Sequence, residues 1–101
     1  MDQVVVYTMP KKIYEHSYKK ILIDITNIIN ENKNLVLDMK NTIFISSSGI
    51  RVLIMALKTL RAKDKNLKII NTNQYIDQIL EVTGLISWVT LNQEKDIEKI
   101  K

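Results

Sequence analysis

Hydrophobic residues follow two alternating spacings along this chain, one typical of strands and one typical of helices. Short apolar or β-branched runs predict strands at Val4–Thr8, Leu35–Met39, Leu67–Ile70 and Trp88–Leu91. Apolar residues at steps of three and four predict helices at about Lys12–Glu31, Ile50–Leu60, Asn73–Thr83 and Glu94–Lys101. Strands that alternate with helices imply crossover connections. The sequence therefore predicts an α/β fold, with a mixed, mostly parallel sheet of about four strands alternating with about four helices.

Small and polar residues mark where these elements start and stop. Pro10 ends the first strand, and Asn73 is placed to cap the helix that follows it. Gly84 stands where a helix commonly ends in a left-handed residue. A further apolar run, Ile43–Ile45, approaches a loop of three serines and a glycine, Ser46–Gly49, which we call the serine tract. A serine in front of an apolar helical repeat predicts an N-cap.

The composition favours one globular domain over residues 1–101. The chain is 46% hydrophobic and 26% charged, which is ordinary for a folded protein and excludes long disorder. With no cysteine, it has no disulfide, no thiolate zinc site and no cysteine nucleophile. Neither a secretion signal nor an apolar run of membrane-spanning length is visible. We therefore expect a cytoplasmic domain that makes no contact with a membrane.

The net charge of +4 raises the question of nucleic-acid binding. Lysines supply nearly all of the positive charge and are spread along the chain, and the arginines are Arg51 and Arg61. Nucleic-acid binding favours a clustered basic stripe, with side chains that read bases on one element. Scattered lysine is more typical of a solvated surface, so we expect no direct contact with nucleic acid.

Residues for catalysis or metal binding are sparse. His16 is the single histidine, and its position in the first predicted helix turns it away from the apolar stripe. No HExxH motif, phosphate-binding glycine loop or GxSxG nucleophile motif is present. We therefore expect no enzymatic activity, no catalytic residue and no bound metal.

The serine tract is the feature that stands out. In a parallel α/β sheet it lies at the carboxyl edge of a strand, where ligands and partners usually bind. One hydroxyl can cap the helix, and Gly49 permits either a tight turn or the close approach of a partner. A phosphate would be tolerated there, because a helix N-terminus offers unpaired N–H groups and positive charge. The residues alone leave two interpretations open: a simple helix cap, or a phosphorylated docking surface.

Several segments together resemble a known family. The sequence LVLDM is followed by IFISSSGI and an apolar helix, and later segments continue the pattern. The matching segments are Leu35–Met39, Ile43–Ile50, Leu53–Ile54, Leu67–Asn71 and Ile79–Leu85. This order resembles the STAS-domain anti-sigma factor antagonists, so a STAS-like fold is expected.

The resemblance implies a switch controlled by phosphorylation. In that family an unphosphorylated antagonist binds an anti-sigma factor that is also a serine kinase, and thereby frees a sigma factor. Carried over by position, the acceptor is Ser48, with Ser47 as the alternative, and Asp38 is the acidic residue near the site. The implied partners are the kinase and a serine phosphatase. No cofactor is expected, since ATP or ADP would enter only with the kinase.

The resemblance also implies a partner surface on the serine tract and the first turns of the next helix. Its expected residues are Ser46, Ser47, Ser48, Gly49, Arg51, Met55 and Lys58. The last three share one line of that helix. Met55 is interpreted either as an adaptable contact or as a partly covered filler of the core.

The sequence departs from the family pattern at two places, and the first of them favours an alternative function. Ser46 stands where the family has an aspartate, which removes one negative charge from the site. The chain also leaves room for one N-terminal strand before the first helix, where the family usually has two. The alternative is an unphosphorylated STAS subunit, acting as a structural partner in a lipid-transport or stress-sensing complex, in which Ser48 only caps a helix.

Overall fold

The sheet of this domain is parallel throughout its described strands. The computed structural model describes residues 3–15 and 17–87, and the backbone of 90–92. Its strands are β1 (Val4–Thr8), β2 (Lys12–Ile13), β3 (Asn34–Asp38), β4 (Phe44–Ile45), β5 (Leu67–Ile70) and β6 (Thr90–Asn92). Four of them form one sheet in the order β1-β3-β5-β6, and β2 and β4 form a separate pair. Each paired neighbour is parallel, which confirms the predicted α/β class.

Three α-helices connect these strands within the described residues. They are α1 (Tyr18–Asn30), α2 (Ser47–Ala62) and α3 (Gln74–Val82), and a short 3₁₀ helix follows at Leu85–Ser87. The predicted strands at Val4–Thr8 and Leu67–Ile70 have the observed bounds. Three parts of the sequence prediction lie outside the described residues. They are His16, the helix at Glu94–Lys101 and the first two residues of the strand at Trp88–Leu91.

The expectation of one N-terminal strand is wrong, because a second strand stands where the first helix was predicted to begin. Lys12–Ile13 pairs with Phe44–Ile45, and α1 starts only at Tyr18. Backbone bonds extend the pair on both sides, from Ile43 N to Lys11 O and from Ser46 N to Ile13 O, each 2.8 Å. A two-residue strand is stabilised by these distant partners, so the local apolar spacing could not reveal it.

The hydrophobic core lies between one face of the sheet and the helices. Along β3 and β5 the inward side chains alternate with outward ones, as a strand that is covered on one face requires. α1 and α2 pack against each other and contribute one apolar stripe each. The core side chains of these elements are Ile21, Ile25, Ile29, Leu35, Leu37, Val52, Leu53, Ala56, Leu57, Leu60, Leu67 and Ile69.

The two end signals of α3 are both confirmed. The Asn73 side chain accepts a hydrogen bond from the Ile76 N–H at 2.9 Å and so caps the first turn. Gly84 follows the C-cap residue Thr83 with φ +78°, a conformation that glycine adopts without steric cost. Both signals act within a few residues of sequence, which is why they could be read without the fold.

A polar contact between the sheet and α1 gives a prediction for alkaline pH. Burial raises the pKa of Tyr7 to about 12, and its hydrogen bond to Asp24 (2.7 Å) adds to the effect. A raised folded-state pKa stabilises the fold below the ordinary value of about 10, and this contribution disappears as the pH rises through 12. We expect absorbance titration to show a tyrosinate step near pH 12 that Tyr7→Phe removes. A late step that survives in Tyr7→Phe would contradict this assignment.

The same contact acts on Asp24 in the opposite direction. Hydrogen bonds from Tyr7 and then from Lys20 lower the pKa of Asp24 below its usual value. A carboxyl pKa that is lowered in the folded state stabilises the fold above the unfolded value of about 4. This stabilisation is lost as the pH falls through the lowered folded-state pKa. Asp24→Asn is the control for the Tyr7 titration, because it removes the negative charge while leaving the phenol in place.

No helix in the part of the chain that the structure describes has both the length and the apolar character needed to cross a membrane.

Candidate functional site

The serine tract is held in place by elements on both sides of β4. One edge of β4 pairs with β2. The Tyr75 hydroxyl of α3 accepts a hydrogen bond from the Ile45 N–H at 3.3 Å and donates one to the Ile45 carbonyl at 3.4 Å. The Asn73 amide donates to the carbonyl of Thr42 at 2.9 Å. The segment that leads into the serine tract is therefore fixed by β2 on one side and by the start of α3 on the other.

Ser46, rather than Ser48, caps α2. The Ser46 side chain is 7% exposed and accepts a hydrogen bond from the Gly49 N–H at 3.2 Å. Its backbone is extended, as is usual for an N-cap residue, and the helix begins at Ser47. The expectation that Ser48 is the helix cap is therefore wrong, since Ser48 lies inside the first turn. The family aspartate position is thus occupied here by a residue with a structural task.

The cap gives a stability prediction. We expect Ser46→Ala to lower the free energy of unfolding by about 1 kcal/mol, because it leaves one N–H of the α2 terminus unpaired. For a domain of this size that corresponds to a fall in melting temperature of about 4–8 °C in calorimetry. Ser47→Ala, at an exposed position of the same turn, is the control. Equal losses in the two variants would show that the cap is not the cause.

Ser48 contacts a carboxylate from a different element. Its hydroxyl donates to Oε2 of Glu15, and its backbone N–H donates to Oε1 at 3.4 Å. Glu15 follows β2 in the turn before α1 and is itself exposed, whereas Ser48 is 9% exposed. The negative charge beside Ser48 therefore comes from Glu15. An anion suits this place, because the N-terminus of a helix carries free N–H groups and positive charge.

Asp38, the predicted acidic neighbour of the site, makes its side-chain contacts elsewhere. Its Oδ1 accepts from the backbone N–H of Lys40 at 3.0 Å and from the Asn71 amide at 3.1 Å. The Lys40 ammonium lies 3.6 Å from Oδ2. Because Asn71 directly follows β5, these bonds tie together the ends of two neighbouring strands. The geometry gives Asp38 a role in the sheet, and none of these three contacts involves the serine tract.

Gly49 is required by close packing rather than by a special backbone conformation. A Cβ atom there would lie 2.7 Å from Cγ2 of Ile13 and 2.7 Å from Cγ1 of Ile45. Those two isoleucines belong to the β2–β4 pair, which presses directly against the first turn of α2. The close approach expected from the sequence is therefore made by the domain's own strands.

The other predicted partner residues lie on two flanks of α2. Ser48, Arg51 and Met55 line a shallow groove of about 220 Å³ between α1 and α2. Lys58 instead lines a larger, mostly apolar cleft of about 450 Å³ between α2 and the segment 83–85. Met55 is half-buried and packs against the core, which favours its interpretation as a filler.

Four exposed apolar side chains lie on the elements around the serine tract, and together they are called the exposed patch. They are Tyr14, Ile43, Phe44 and Tyr75, with exposed fractions from 37% to 51%. The rings of Tyr14 and Phe44 lie 5.6 Å apart between centroids. Exposed aromatic side chains next to a polar site are typical of protein-binding surfaces.

Sequence reasoning missed the positions of Glu15 and Tyr14 because both follow β2, which the helical spacing concealed. One signal was available: Ser17 is a residue type that often precedes helices, and it stands directly before the observed start of α1. Its hydroxyl accepts from the Tyr14 N–H at 2.9 Å and closes the turn that contains Glu15.

The fold and the site define a parallel α/β domain that presents serines at the start of a helix. Comparisons with known protein families, sequences and structures find the same kind of domain. A family model described as the STAS domain matches residues 1–98. The anti-sigma-B factor antagonist of Staphylococcus aureus (strain NCTC 8325 / PS 47) is 26% identical over 66 residues, which is 65% of this chain. The match spans 61% of that protein's length.

Solved structures share the fold at low sequence identity. The Bacillus cell fate determinant SpoIIAA, in its phosphorylated form, has a TM-score of 0.74 and 17% identity, covering 100% of this chain and 94% of its own. An anti-sigma-factor antagonist (STAS) domain protein from Planctomyces limnophilus has a TM-score of 0.80 and 18% identity, covering 90% and 82%. The chain belongs to the STAS domain family.

Proposed function

We propose that this chain is an anti-sigma factor antagonist, which binds an anti-sigma factor with serine kinase activity and is released when Ser48 is phosphorylated. Its support in the comparisons is the family membership and the Staphylococcus aureus relative, which bears the name anti-sigma-B factor antagonist. The observation that carries the proposal is the position of Ser48 in the first turn of α2, beside an exposed apolar patch. A phosphate on that hydroxyl would therefore change the affinity of a protein bound on the patch.

The choice between the two candidate serines rests on two opposing observations. Ser47 is the more exposed, whereas Ser48 is nearly buried and its hydroxyl is held by Glu15. We choose Ser48 because it is the position that matches the family acceptor. The exposed Glu15 side chain can swing into solvent when a kinase binds, which uncovers the hydroxyl. Ser47 remains the alternative acceptor.

The free-energy cost of a phosphate in the interface is larger than the cost needed to weaken such a complex. A phosphate adds about −1.5 to −2 charges at neutral pH. Burying a charge of that size in an interface without a basic partner costs several kcal/mol. A ten-fold loss of affinity needs only about 1.4 kcal/mol. One phosphate on this surface is therefore sufficient to release the antagonist.

The proposal is tested by incubating the purified chain with ATP and the serine-kinase anti-sigma factor encoded in the same genome. We expect one phosphate on the wild type, on Ser46→Ala and on Ser47→Ala, and none on Ser48→Ala. Ser48→Ala should still bind the anti-sigma factor, because the interface loses only a hydroxyl. Labelling that disappears in Ser47→Ala and persists in Ser48→Ala would move the acceptor to Ser47.

A second candidate function is favoured by the contacts of the serines themselves. Ser46 caps α2 in place of the family aspartate, and the Ser48 hydroxyl is already engaged. Both observations suit an unphosphorylated STAS subunit that acts as a structural partner in a lipid-transport or stress-sensing complex. The same incubation separates the two candidates. An unlabelled chain that fails to bind the anti-sigma factor would favour the structural subunit.

Several expectations belong to the same proposal. The chain is expected to hold no cofactor of its own, since ATP or ADP would come with the kinase, and to perform no catalysis. A serine phosphatase would restore the unphosphorylated form. The cytoplasmic location, the single domain over residues 1–101 and the lack of contact with nucleic acid stay predictions from the sequence.

A further inference from the structure

The contact between Glu15 and Ser48 is one that a phosphate cannot preserve. At present the Ser48 hydroxyl donates its proton to the Glu15 carboxylate. A carboxylate only accepts hydrogen bonds. Once Ser48 is esterified, its side-chain oxygen has no proton, and the attached phosphate carries about −1.5 to −2 charges at neutral pH. The donor that holds Glu15 is thereby replaced by a group of like charge.

The start of α2 is already in contact with one anionic group, the Glu15 carboxylate. None of the residues in its first turn is acidic, and Glu15 reaches it from another element. The N–H groups of this turn favour negative charge, and two of them already donate, Gly49 N–H to Ser46 and Ser48 N–H to Glu15. A phosphate on Ser48 would compete for the same groups with a larger charge and a covalent attachment to the helix. Because Glu15 is exposed, it can leave for solvent without opening a cavity.

Glu15 belongs to a short turn that also carries part of the exposed patch. Ile13, just before the turn, is fully buried and paired with Ile45, so it is fixed. Between that point and α1, Tyr14 and Ser17 are joined by three hydrogen bonds of 2.9, 3.1 and 3.4 Å. The Tyr14 ring lies 5.6 Å from the Phe44 ring between centroids, at an interplanar angle of 39°. Glu15 directly follows Tyr14 in this turn, so a backbone shift that takes the Glu15 carboxylate away from α2 also moves Tyr14.

We propose that Glu15 is the positioning residue that converts phosphorylation of Ser48 into a change of the exposed patch. The phosphate displaces the Glu15 carboxylate from the start of α2, and the turn that follows β2 moves Tyr14 away from Phe44. The inference rests on the proposed function only for the choice of Ser48 as the acceptor. It adds a structural effect at the patch to the simple repulsion between a phosphate and a partner.

The test uses the full chain with phosphoserine incorporated genetically at position 48, so that no kinase is required. Three forms are compared by NMR, each with serine and with phosphoserine: wild type, Glu15→Gln and Glu31→Gln. Glutamine keeps the shape of Glu15, accepts from serine and can donate to a phosphate. Glu31→Gln removes the same charge from an exposed position at the far end of α1 and is the matched control.

With serine, all three forms should show contacts between the Tyr14 and Phe44 rings. With phosphoserine, we expect wild type and Glu31→Gln to lose them, and the Tyr14 amide to exchange at least about ten times faster. Glu15→Gln should keep both the ring contacts and the slow exchange. Should phosphoserine unfold the wild type, Glu15→Gln must restore folding.

Two results would overturn the inference. One is a phosphorylated wild type that keeps its ring contacts. The other is equal loss, or equal unfolding, in wild type and Glu15→Gln. Neither the kinase nor the anti-sigma factor enters this experiment. A failure of the proposed function would instead appear in the labelling and binding assays, so the two failures can be told apart.

Discussion

Phosphorylation of Ser48 is expected to weaken binding of the anti-sigma factor about a hundred-fold or more while the domain stays folded. A hundred-fold change corresponds to about 2.7 kcal/mol. The cost of placing a phosphate in a desolvated interface exceeds that value. Ser48 lies in the first turn of α2, beside the exposed patch, so its phosphate cannot avoid a partner bound there. Calorimetry or surface plasmon resonance would measure the affinity directly.

The variant Ser48→Asp gives a simpler form of the same measurement. It adds one negative charge, so we expect a weaker but clear loss of affinity of at least about ten-fold. Ser47→Asp is the matched control, because it adds the same charge at the exposed neighbouring position. If Ser48→Asp binds the anti-sigma factor with unchanged affinity, and phosphorylation also leaves the complex unchanged, the proposed switch is contradicted.

Gly49→Val should produce the largest loss of stability. Even a Cβ atom would lie 2.7 Å from both Ile13 and Ile45, and valine adds two more carbons. These neighbours are buried branched side chains of the β2–β4 pair, so they have little freedom to move. Overpacking typically costs about 1–3 kcal/mol, and the close approach to two buried branched side chains places Gly49→Val at the upper end, at about 3 kcal/mol. That is a large part of the total stability of about 5–15 kcal/mol for a small domain.

Thermal unfolding with circular dichroism is the measurement for Gly49→Val. A loss of about 3 kcal/mol lowers the melting temperature of a domain of this size by about 12 °C or more. Ser47→Val puts the same side chain on the same turn at an exposed position, and we expect it to change the melting temperature little. Similar losses in both variants would attribute the effect to helix propensity rather than to the contact with β2 and β4.

The parts of the fold that could be predicted are those specified by nearby residues. Val4–Thr8 is a continuous β-branched and aromatic run, and Leu67–Ile70 is an apolar run interrupted only by Lys68; their bounds in the structure are the predicted ones. Asn73 and Gly84 act on the helix next to them, so their roles were visible without the fold. The apolar stripe predicted for the first helix is confirmed within α1, where Ile21, Ile25 and Ile29 are buried, but the helix begins at Tyr18 instead of Lys12 and leaves out Tyr14.

The parts that could not be predicted depend on pairing across the chain. Lys12–Ile13 forms a strand because Phe44–Ile45 lies beside it, and nothing in the local spacing distinguishes it from a first helical turn. Glu15 reaches Ser48 only because that strand places it there. The same pairing explains why Gly49 is needed. A two-residue strand therefore accounts for most of what sequence reasoning missed at the candidate site.

The resemblance to a family and the geometry contributed different parts of the site. The family pattern implies that Ser48 is the acceptor and that the partner is a kinase. The structure shows that Ser46 performs the capping and that Glu15 supplies a charge beside the serine. Loss of the family aspartate at position 46 therefore leaves Ser48 with an acidic neighbour.

The most direct test of the switch is intact-mass analysis of this protein purified from its native cells, with fragmentation across Ile43–Lys58. We expect a fraction of the molecules to carry one phosphate, located on Ser48, and that fraction to change with growth conditions. An unmodified mass under every condition would contradict the switch and favour the structural subunit. A phosphate located on Ser47 would contradict the choice of acceptor.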